Sequence, residues 1–407
     1  MTAPYTLTVT EASQQIQEGV LSPLELVESV FQRITDLEPR LKAWVTLDRD
    51  GAIAAAQQAT EEAKEGRLRS PLHGIPVGIK DIFYTQGLKT TAGSPVLADF
   101  IPPFDATTVA RLKAAGAIIL GKTTTTEFAC FHPTVTRNPW KLNHTPGGSS
   151  SGSGAAVAAR MCPAALGSQT AGSTLRPAAY CGIVGLKPTY GRISRHGIFP
   201  VSWCLDHVGI LVRTVQDAAL LLQVLAGYDP QDRSSARVPV PPYLAEMKRM
   251  EREPRIGLVR EFFLERADAA VQKNVEEVVT RLSKAGARIE EVKLPPSFSA
   301  LHAAHRTIMR VEAAAVHAQL FPGNEEKYSQ RMRSLIESGT LVPAVYYLRA
   351  QRLRQHFCQE METLLQQVDV LLTPTTPATA PASLETTGDP AFNAPWTFCG
   401  IPAISIP

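Results

Sequence analysis

The sequence has few of the features that mark a secreted, membrane-spanning or metal-binding protein. No Lys or Arg precedes Arg33, so the N-terminus lacks the basic region of a signal peptide. The charge-free stretch from Pro390 to Pro407 contains four prolines and one glycine, which is unsuited to a membrane helix. The six cysteines form no CxxC pair, and HExxH is absent. We therefore expect a cytoplasmic protein with reduced thiols and no metal site.

Net charge is also small. Opposing counts of 41 basic and 38 acidic residues leave a formal charge of +3 over 407 residues. This balance provides no electrostatic footprint for nucleic acid and no polybasic patch for a membrane surface. Hydrophobic residues make up 44% and charged residues 19%, which indicates a globular chain. The length is compatible with two or three domains or with one large α/β domain.

The pattern of apolar and polar residues divides the chain into residues 1–65 and 66–407. In the first part, Ser22, Pro23 and Glu25 form the signature of a helix N-terminus, and apolar residues then follow at helical spacing. We predict a helical layer there, packed on a core. From His73 onward, short apolar strands alternate with helical stretches, which predicts α/β structure with a parallel or mixed sheet.

Two familiar motifs occur in contexts that do not suit them. Residues 116–123 (GAIILGKT) match the spelling of a phosphate-binding P-loop, but the four middle residues are those of a buried strand, not of a loop. Residues 148–152 (GSSSG) match the GxSxG of a nucleophile elbow, but no apolar strand precedes them. Neither nucleotide binding nor a Ser-His-Asp hydrolase is therefore predicted.

Three short segments, in this order along the chain, resemble the amidase signature family. They are residues 74–81 (GIPVGIKD), 145–154 (TPGGSSSGSG) and 167–182 (GSQTAGSTLRPAAYCG). The resemblance continues through residues 185–191, 206–209 and 368–377, and so covers nearly the whole chain. It implies one large catalytic domain, with a mixed central sheet flanked by helices on both faces, that needs no cofactor.

The resemblance also implies the chemistry. Ser173 is expected to be the nucleophile, Ser149 a bridging serine on a cis peptide bond after Gly148, and Lys80 the base that accepts the proton. A lysine can accept a proton at neutral pH only if burial lowers its pKa, and a position at the end of an apolar strand permits that.

The expected oxyanion hole consists of backbone amides in the segment before and at the nucleophile. The residues that supply them are Thr170, Ala171, Gly172 and Ser173. Ser150 and Arg176 are predicted to bind substrate.

Two departures from the common family pattern affect the substrate prediction. Gln169 replaces a usual Asp, and Arg176 lies three residues after Ser173 instead of two. Both features look more like the malonamidase branch, which implies that Arg176 binds a substrate carboxylate, as guanidinium geometry allows. The alternative is that Arg176 holds its own loop in place.

The predicted activity is hydrolysis of a small linear amide to a carboxylate and ammonia. A monoamide of a dicarboxylic acid is one candidate substrate, and the family resemblance is compatible with a homodimer but leaves the oligomeric state open. Two alternatives stay open. One is the glutaminase component of a tRNA-dependent amidotransferase, which would need a partner subunit. The other is an inactive, truncated family member, because family members usually continue beyond the segment matching residues 400–407.

Overall fold

The computed structural model describes residues 3–130, 132–247, 249 and 252–407. Residues 1–65, predicted as a helical layer, contain three α-helices and one strand. Ser22 starts the second helix with a capping box, in which its hydroxyl accepts from the amide of Glu25 and the Glu25 carboxylate accepts from the amide of Ser22. The strand was not predicted. The elements are α1 (Val9–Gln17), α2 (Pro23–Leu41), β1 (Trp44–Leu47) and α3 (Arg49–Lys64).

The main sheet is mixed, as predicted. Its strands are β1, β2 (Pro76–Lys80), β3 (Ile118–Thr123), β4 (Ala164–Gln169), β5 (Val184–Lys187), β6 (His207–Val212) and β10 (Ala403–Ser405). They lie in the order β1-β3-β2-β4-β6-β5-β10. The β3, β2 and β4 strands are parallel, whereas the flanking pairs are antiparallel. The unpredicted β1 therefore extends the sheet beyond β3.

Helices cover both faces of this sheet. Every residue of β2, β3, β4 and β6 is buried, and side chains of successive strand residues point to opposite faces. The covering helices are α3, α4 (Thr107–Ala114), α5 (Ser151–Ala158), α6 (Leu175–Cys181) and α7 (Val215–Leu225). The strand β3 contains Gly121 and Lys122, so the P-loop spelling lies in a buried strand, as expected from its sequence.

A smaller parallel sheet lies in the second half of the chain. It has the order β8-β7-β9 and is formed by β7 (Arg255–Leu258), β8 (Arg288–Glu291) and β9 (Val370–Leu372). The helices in this half of the chain are α8 (Tyr243–Glu246), α9 (Phe263–Arg266), α10 (Ala269–Lys284), α11 (Phe298–His317), α12 (Gln330–Thr340), α13 (Ala344–Leu364) and α14 (Ala394–Phe398), of which α10 packs against β8 and α8 against α7. Among them, α11 packs against α12, α13 and α14.

One hydrophobic core joins both parts of the chain. The same cluster includes Val9 of the first helix, Ile79 of the central sheet, and Ile308 and Phe398 of the later helices. The helical layer thus packs on the main core, and the chain forms a single α/β domain. No helix in the described part of the chain is long and apolar enough to cross a membrane.

Candidate active site

Lys80 is the last residue of the central strand β2 and is completely buried. Its Nζ donates to the Ser149 hydroxyl at 2.7 Å and to the Ser168 hydroxyl at 2.8 Å. Burial lowers the pKa of this ammonium to about 7, although the nearby charge of Asp206 acts in the opposite direction. A substantial fraction of Lys80 is therefore neutral at physiological pH.

Ser149 lies two residues before the start of α5, and the peptide bond joining it to Gly148 is cis, as the resemblance implied. Its carbonyl accepts from the Thr126 amide at 3.2 Å. Small residues follow because α5 packs directly on backbone. A Cβ on Gly152 would lie 2.2 Å from the carbonyl oxygen of Ala43. The Ser/Gly run is thus an ordered helix start, and its composition reflects this close approach.

Ser173 lies in the loop between β4 and α6 and lines the same small cavity as Ser149. The cavity has a volume of about 30 Å³. No hydrogen bond joins the Ser149 and Ser173 hydroxyls among the described residues. Such contacts are often long in a free enzyme and tighten only around a substrate. The remaining walls are formed by Thr126, Ala129, Cys130, Thr170, Ala171, Arg176, Val201, Met309, Thr387 and Pro390.

The loop over residues 170–173 presents unpaired amides. In the described part of the chain, the N–H groups of Ala171, Gly172 and Ser173 donate no hydrogen bond. The carbonyl of Ser173, in contrast, accepts from the Ser150 amide at 3.3 Å. Buried amides are almost always paired, and Gly172 and Ser173 are buried, so these free donors at the candidate nucleophile are available to an anionic or carbonyl oxygen.

Gln169 holds the start of the helix that follows this loop. Its Oε1 accepts from the amides of Thr174 and Leu175, each at 3.0 Å, while its Nε2 donates to the Thr397 hydroxyl at 3.0 Å. The amide side chain uses both an acceptor and a donor. A carboxylate, as in the usual Asp, has no N–H to donate to Thr397.

Arg176 is buried and borders the cavity of Ser149 and Ser173. Its guanidinium donates to the carbonyls of Gly148 at 2.6 Å and Gly388 at 3.0 Å and to the Thr387 hydroxyl at 3.2 Å. Among the described residues it has no carboxylate partner, and its Nε has no hydrogen bond. Burial lowers the pKa of Arg176 to about 10, so the group stays charged at neutral pH.

Ser150 does not lie where its predicted role requires. It is fully buried and does not line the cavity. Its hydroxyl accepts from the amide of Ser168 at 3.2 Å and donates to the carbonyl of the same residue at 3.3 Å. Because these bonds hold the hydroxyl away from the cavity, the structure gives no support to the expectation that Ser150 binds substrate, which stays a prediction. Its side chain instead joins the segment at Ser149 to β4.

Two neighbours of the site carried no clear signal in the sequence. Ser168, the second partner of Lys80, stands in a small-residue strand where nothing distinguishes it from its neighbours. Cys130 borders the cavity, and burial raises the pKa of its thiol to about 12, so the side chain is a neutral wall. A larger cavity of about 240 Å³ shares Thr170 and Val201 with the first one but does not reach Ser149 or Ser173.

Comparison with known proteins identifies the family of this chain. The family model described as Amidase matches residues 25–407. The chain belongs to the amidase family. It is 38% identical to the A subunit of the glutamyl-tRNA(Gln) amidotransferase of Carboxydothermus hydrogenoformans, over 99% of this chain and 90% of that protein.

Solved structures of family members superpose closely. The native peptide amidase of Stenotrophomonas maltophilia gives a TM-score of 0.87 at 32% identity, over 98% of this chain and 90% of that one. The corresponding amidotransferase component of Thermotoga maritima gives 0.83 at 32% identity, over 100% and 88%. The family and the C–N bond chemistry are therefore established, whereas the predicted malonamidase branch is not confirmed. Curated relatives instead carry the name of the amidotransferase component.

Proposed function

We propose that this chain cleaves the C–N bond of a small primary amide through an acyl-enzyme on Ser173, with Ser149 and Lys80 as its proton relay. The observation that carries the proposal is a buried lysine bonded to Ser149, beside a second serine that adjoins three unpaired amides. An amide is a weak electrophile with a poor leaving group, so its hydrolysis needs each of these parts.

The steps follow from the arrangement. Neutral Lys80 takes the proton of Ser149, which takes that of Ser173 as the Ser173 oxygen attacks the carbonyl carbon. The resulting oxyanion accepts hydrogen bonds from the amides of Ala171, Gly172 and Ser173, with the amide of Thr170 as a fourth predicted donor. The relay then runs in reverse and protonates the leaving nitrogen, so ammonia departs as the C–N bond breaks. Water, deprotonated through the same relay, hydrolyses the ester.

For the substrate, we favour a carboxamide whose other end carries a carboxylate, with glutamine as the first choice. Arg176 supports the carboxylate, because it is a buried cation at the cavity whose hydrogen bonds all go to neutral oxygens. The carboxylate that acts on its pKa, Asp389, forms no ion pair with it among the described residues. The relatives support glutamine, because the amidotransferase name is shared by proteins 37–40% identical along nearly the whole chain. As one component of such an assembly, the chain would require a partner subunit.

A stand-alone amidase acting on the monoamide of a dicarboxylic acid is the second candidate. The same placement of Arg176 favours it, since malonamate and glutamine both combine a carboxamide with a carboxylate. The inactive alternative finds less support, because Lys80 and Ser149 are in hydrogen-bond contact and Ser173 borders the same cavity.

Ammonia release from a panel of amides tests the proposal. Glutamine, malonamate, propionamide and benzamide are compared for the wild type, Ser173→Ala and the matched control Ser299→Ala, which changes an exposed serine. We expect release that disappears only with Ser173→Ala. Release that persists in that variant would refute the assigned nucleophile. Preference for glutamine, together with co-purification of a second protein component, would select the amidotransferase over the stand-alone enzyme.

Arg176→Met tests the carboxylate assignment. Because Arg176 also binds the carbonyl of Gly148, some loss common to all amides is expected. The informative quantity is the ratio of kcat/KM for malonamate to that for propionamide. A lost charged hydrogen bond corresponds to about 1.5–3 kcal/mol, so we expect this ratio to fall roughly ten- to a hundredfold. An equal loss for both amides would leave Arg176 with a structural role only.

A further inference from the structure

Each carbonyl of residues 170–172 accepts a hydrogen bond from a residue outside the 170–173 loop. The carbonyl of Thr170 accepts from His305 Nε2 at 2.9 Å, and that of Ala171 from the Thr397 hydroxyl at 3.0 Å. The carbonyl of Gly172 accepts from the Arg176 amide at 2.9 Å, and Arg176 lies in the first turn of α6. Three donors from three different parts of the chain therefore fix three consecutive peptide groups.

Fixing a carbonyl also fixes the amide that follows it. A trans peptide is planar, and its C=O and N–H point in opposite directions. The hydrogen bond to the carbonyl of Thr170 therefore sets the direction of the Ala171 N–H, and the bond to the carbonyl of Ala171 sets that of Gly172. These are two of the amides left without a partner in the described structure.

We propose that His305 is a positioning residue, which aligns the Ala171 amide for the oxyanion by holding the carbonyl of Thr170. This inference rests on the proposed function of the site. A carbonyl can only accept, so Nε2 carries the proton of the imidazole. Burial lowers the pKa of His305 to about 4, which keeps the ring neutral and its single N–H committed to this bond at neutral pH.

The same helix reaches Thr170 by a second path. The Thr170 hydroxyl donates to the Asp206 carboxylate at 2.5 Å, and that carboxylate also accepts the amides of Val201 and Ser202. Glu312, two turns after His305 on α11, accepts from the Ser202 hydroxyl at 2.5 Å. Thr170 is thus held both at its carbonyl and at its side chain.

The spacing along α11 explains how one helix does this. His305, Met309 and Glu312 are four and three residues apart and therefore share one face. Met309 lies between the other two and borders the cavity of Ser173. The face of α11 that contacts the 170–173 loop is consequently also a wall of the candidate active site.

Two substitutions in the full chain test the inference. His305→Leu removes the donor, whereas His305→Gln keeps an N–H at a similar distance from the backbone. Because loss of an oxyanion donor typically lowers the rate by about 10²–10³-fold, we expect misalignment of one such donor in His305→Leu to lower kcat about ten- to a hundredfold. KM should stay within about threefold, since this contact acts on the transition state. His305→Gln should recover most of kcat.

Folding effects are separated by titrating Ser173 with a fluorophosphonate and expressing kcat per labelled site. If His305→Leu keeps the wild-type kcat per site, the inference is wrong. It is equally wrong if His305→Gln, with the same labelled fraction, is as slow as His305→Leu.

A readout without turnover keeps the test independent of the proposed function. In the chain labelled with [¹⁵N]alanine, the Ala171 amide signal is identified by its loss in Ala171→Ser. We expect His305→Leu to shift this signal and His305→Gln to restore it. An unchanged Ala171 signal in His305→Leu overturns the inference, whether or not the wild type hydrolyses any tested amide. Absence of hydrolysis by the wild type would instead refute the proposed function.

Discussion

Lys80 and Lys122 lie on adjacent parallel strands and share the same degree of burial, yet their surroundings differ. Their strands pair directly, with Ile79 opposite Lys122, and both side chains are fully buried. Burial lowers the pKa of Lys80 to about 7 and that of Lys122 to about 8. Neither burial nor pKa alone therefore distinguishes a candidate catalytic lysine from a structural one.

The partners make the distinction. Lys80 donates to two serine hydroxyls, which can pass a proton onward. Lys122 donates to the carbonyl of Phe83 and the hydroxyl of Thr90 and lies 3.5 Å from the Asp81 carboxylate. The Thr90 hydroxyl donates in turn to the carbonyls of Phe83 and Leu88, which have no proton to give, and the Asp81 carboxylate favours the charged form of the lysine. Lys122 is thus placed to stabilise the loop that follows β2.

Lys187 extends the comparison. It is also fully buried, and burial lowers its pKa to about 7, the same value as for Lys80. Its Nζ donates only to carbonyls, those of Pro188 and Ile401, among the described residues. A lysine with the same pKa thus lacks any hydroxyl, in this part of the chain, through which a proton could move.

The largest loss of activity is expected for Lys80→Met. If Lys80 is the base, kcat/KM for the preferred amide should fall by about 10²–10⁴-fold, the range for loss of a general acid–base group. The variant should remain folded, because methionine suits a site that disfavours charge. Steady-state ammonia release and urea unfolding measure the two quantities. Activity within tenfold of the wild type would remove Lys80 from the relay.

Lys122→Met should give the opposite pattern. Removing one member of a buried ion pair leaves Asp81 uncompensated, which costs about 3–5 kcal/mol of unfolding free energy. Activity per Ser173 labelled by a fluorophosphonate should stay near the wild-type value. Adding Asp81→Asn should recover part of the stability. A folded, fully stable Lys122→Met variant would show that the pair contributes nothing.

The pH profile sharpens the same contrast. Lys80 must be neutral to accept a proton, so kcat/KM should rise with pH through an apparent pKa of about 7. At pH 5, two units lower, the rate should be roughly a hundredfold below the plateau, since each unit corresponds to about tenfold. Measuring kcat/KM for a neutral amide over a pH series tests this dependence. A flat profile between pH 5 and 8 would contradict a base with this pKa.

The pKa of Lys80 also sets a pH dependence of stability. Its folded pKa lies below the ordinary lysine value, so the native state binds fewer protons than the unfolded state above pH 7. The contribution of Lys80 to unfolding free energy therefore rises with pH from about 7 toward the ordinary lysine pKa of about 10.4. Lys80→Met should remove this part of the slope in urea unfolding. An unchanged slope would indicate a normal lysine.

The smallest effect is expected from single partner hydroxyls. Ser168→Ala removes one of the two hydrogen bonds of Lys80. Once Lys80 has accepted the proton it is charged, and a bond to a charged group is worth about 1.5–3 kcal/mol, so kcat/KM should fall roughly ten- to a hundredfold. Thr90→Val, the matched change beside Lys122, should lower stability by a similar free energy and leave activity per labelled site unchanged. Equal effects of both variants on activity would erase the contrast between the two lysines.

Much of this protein could be predicted from its sequence because the informative segments are local. Three such segments are the apolar strand that ends in Lys80, the Ser/Gly run before a helix, and the loop of small residues around Ser173. Each has a composition that suits one local structure. The mixed α/β fold followed from the alternation of strands and helices, apart from β1. The local structure of these segments depends on backbone conformation and burial within a few residues, which composition and spacing report directly. The roles expected of Lys80, Ser149 and Ser173, in contrast, came only from the family resemblance.

Only the tertiary structure decided which polar groups meet. Lys80 ends one buried strand and Lys122 lies in another, but their different hydrogen-bond partners come from distant segments of the chain. The partners of two other side chains were equally hidden in the sequence. The Ser150 hydroxyl bonds to the backbone of β4, and His305 contacts a residue 135 positions away. A buried polar group must find a partner, and which partner it finds depends on how distant segments pack.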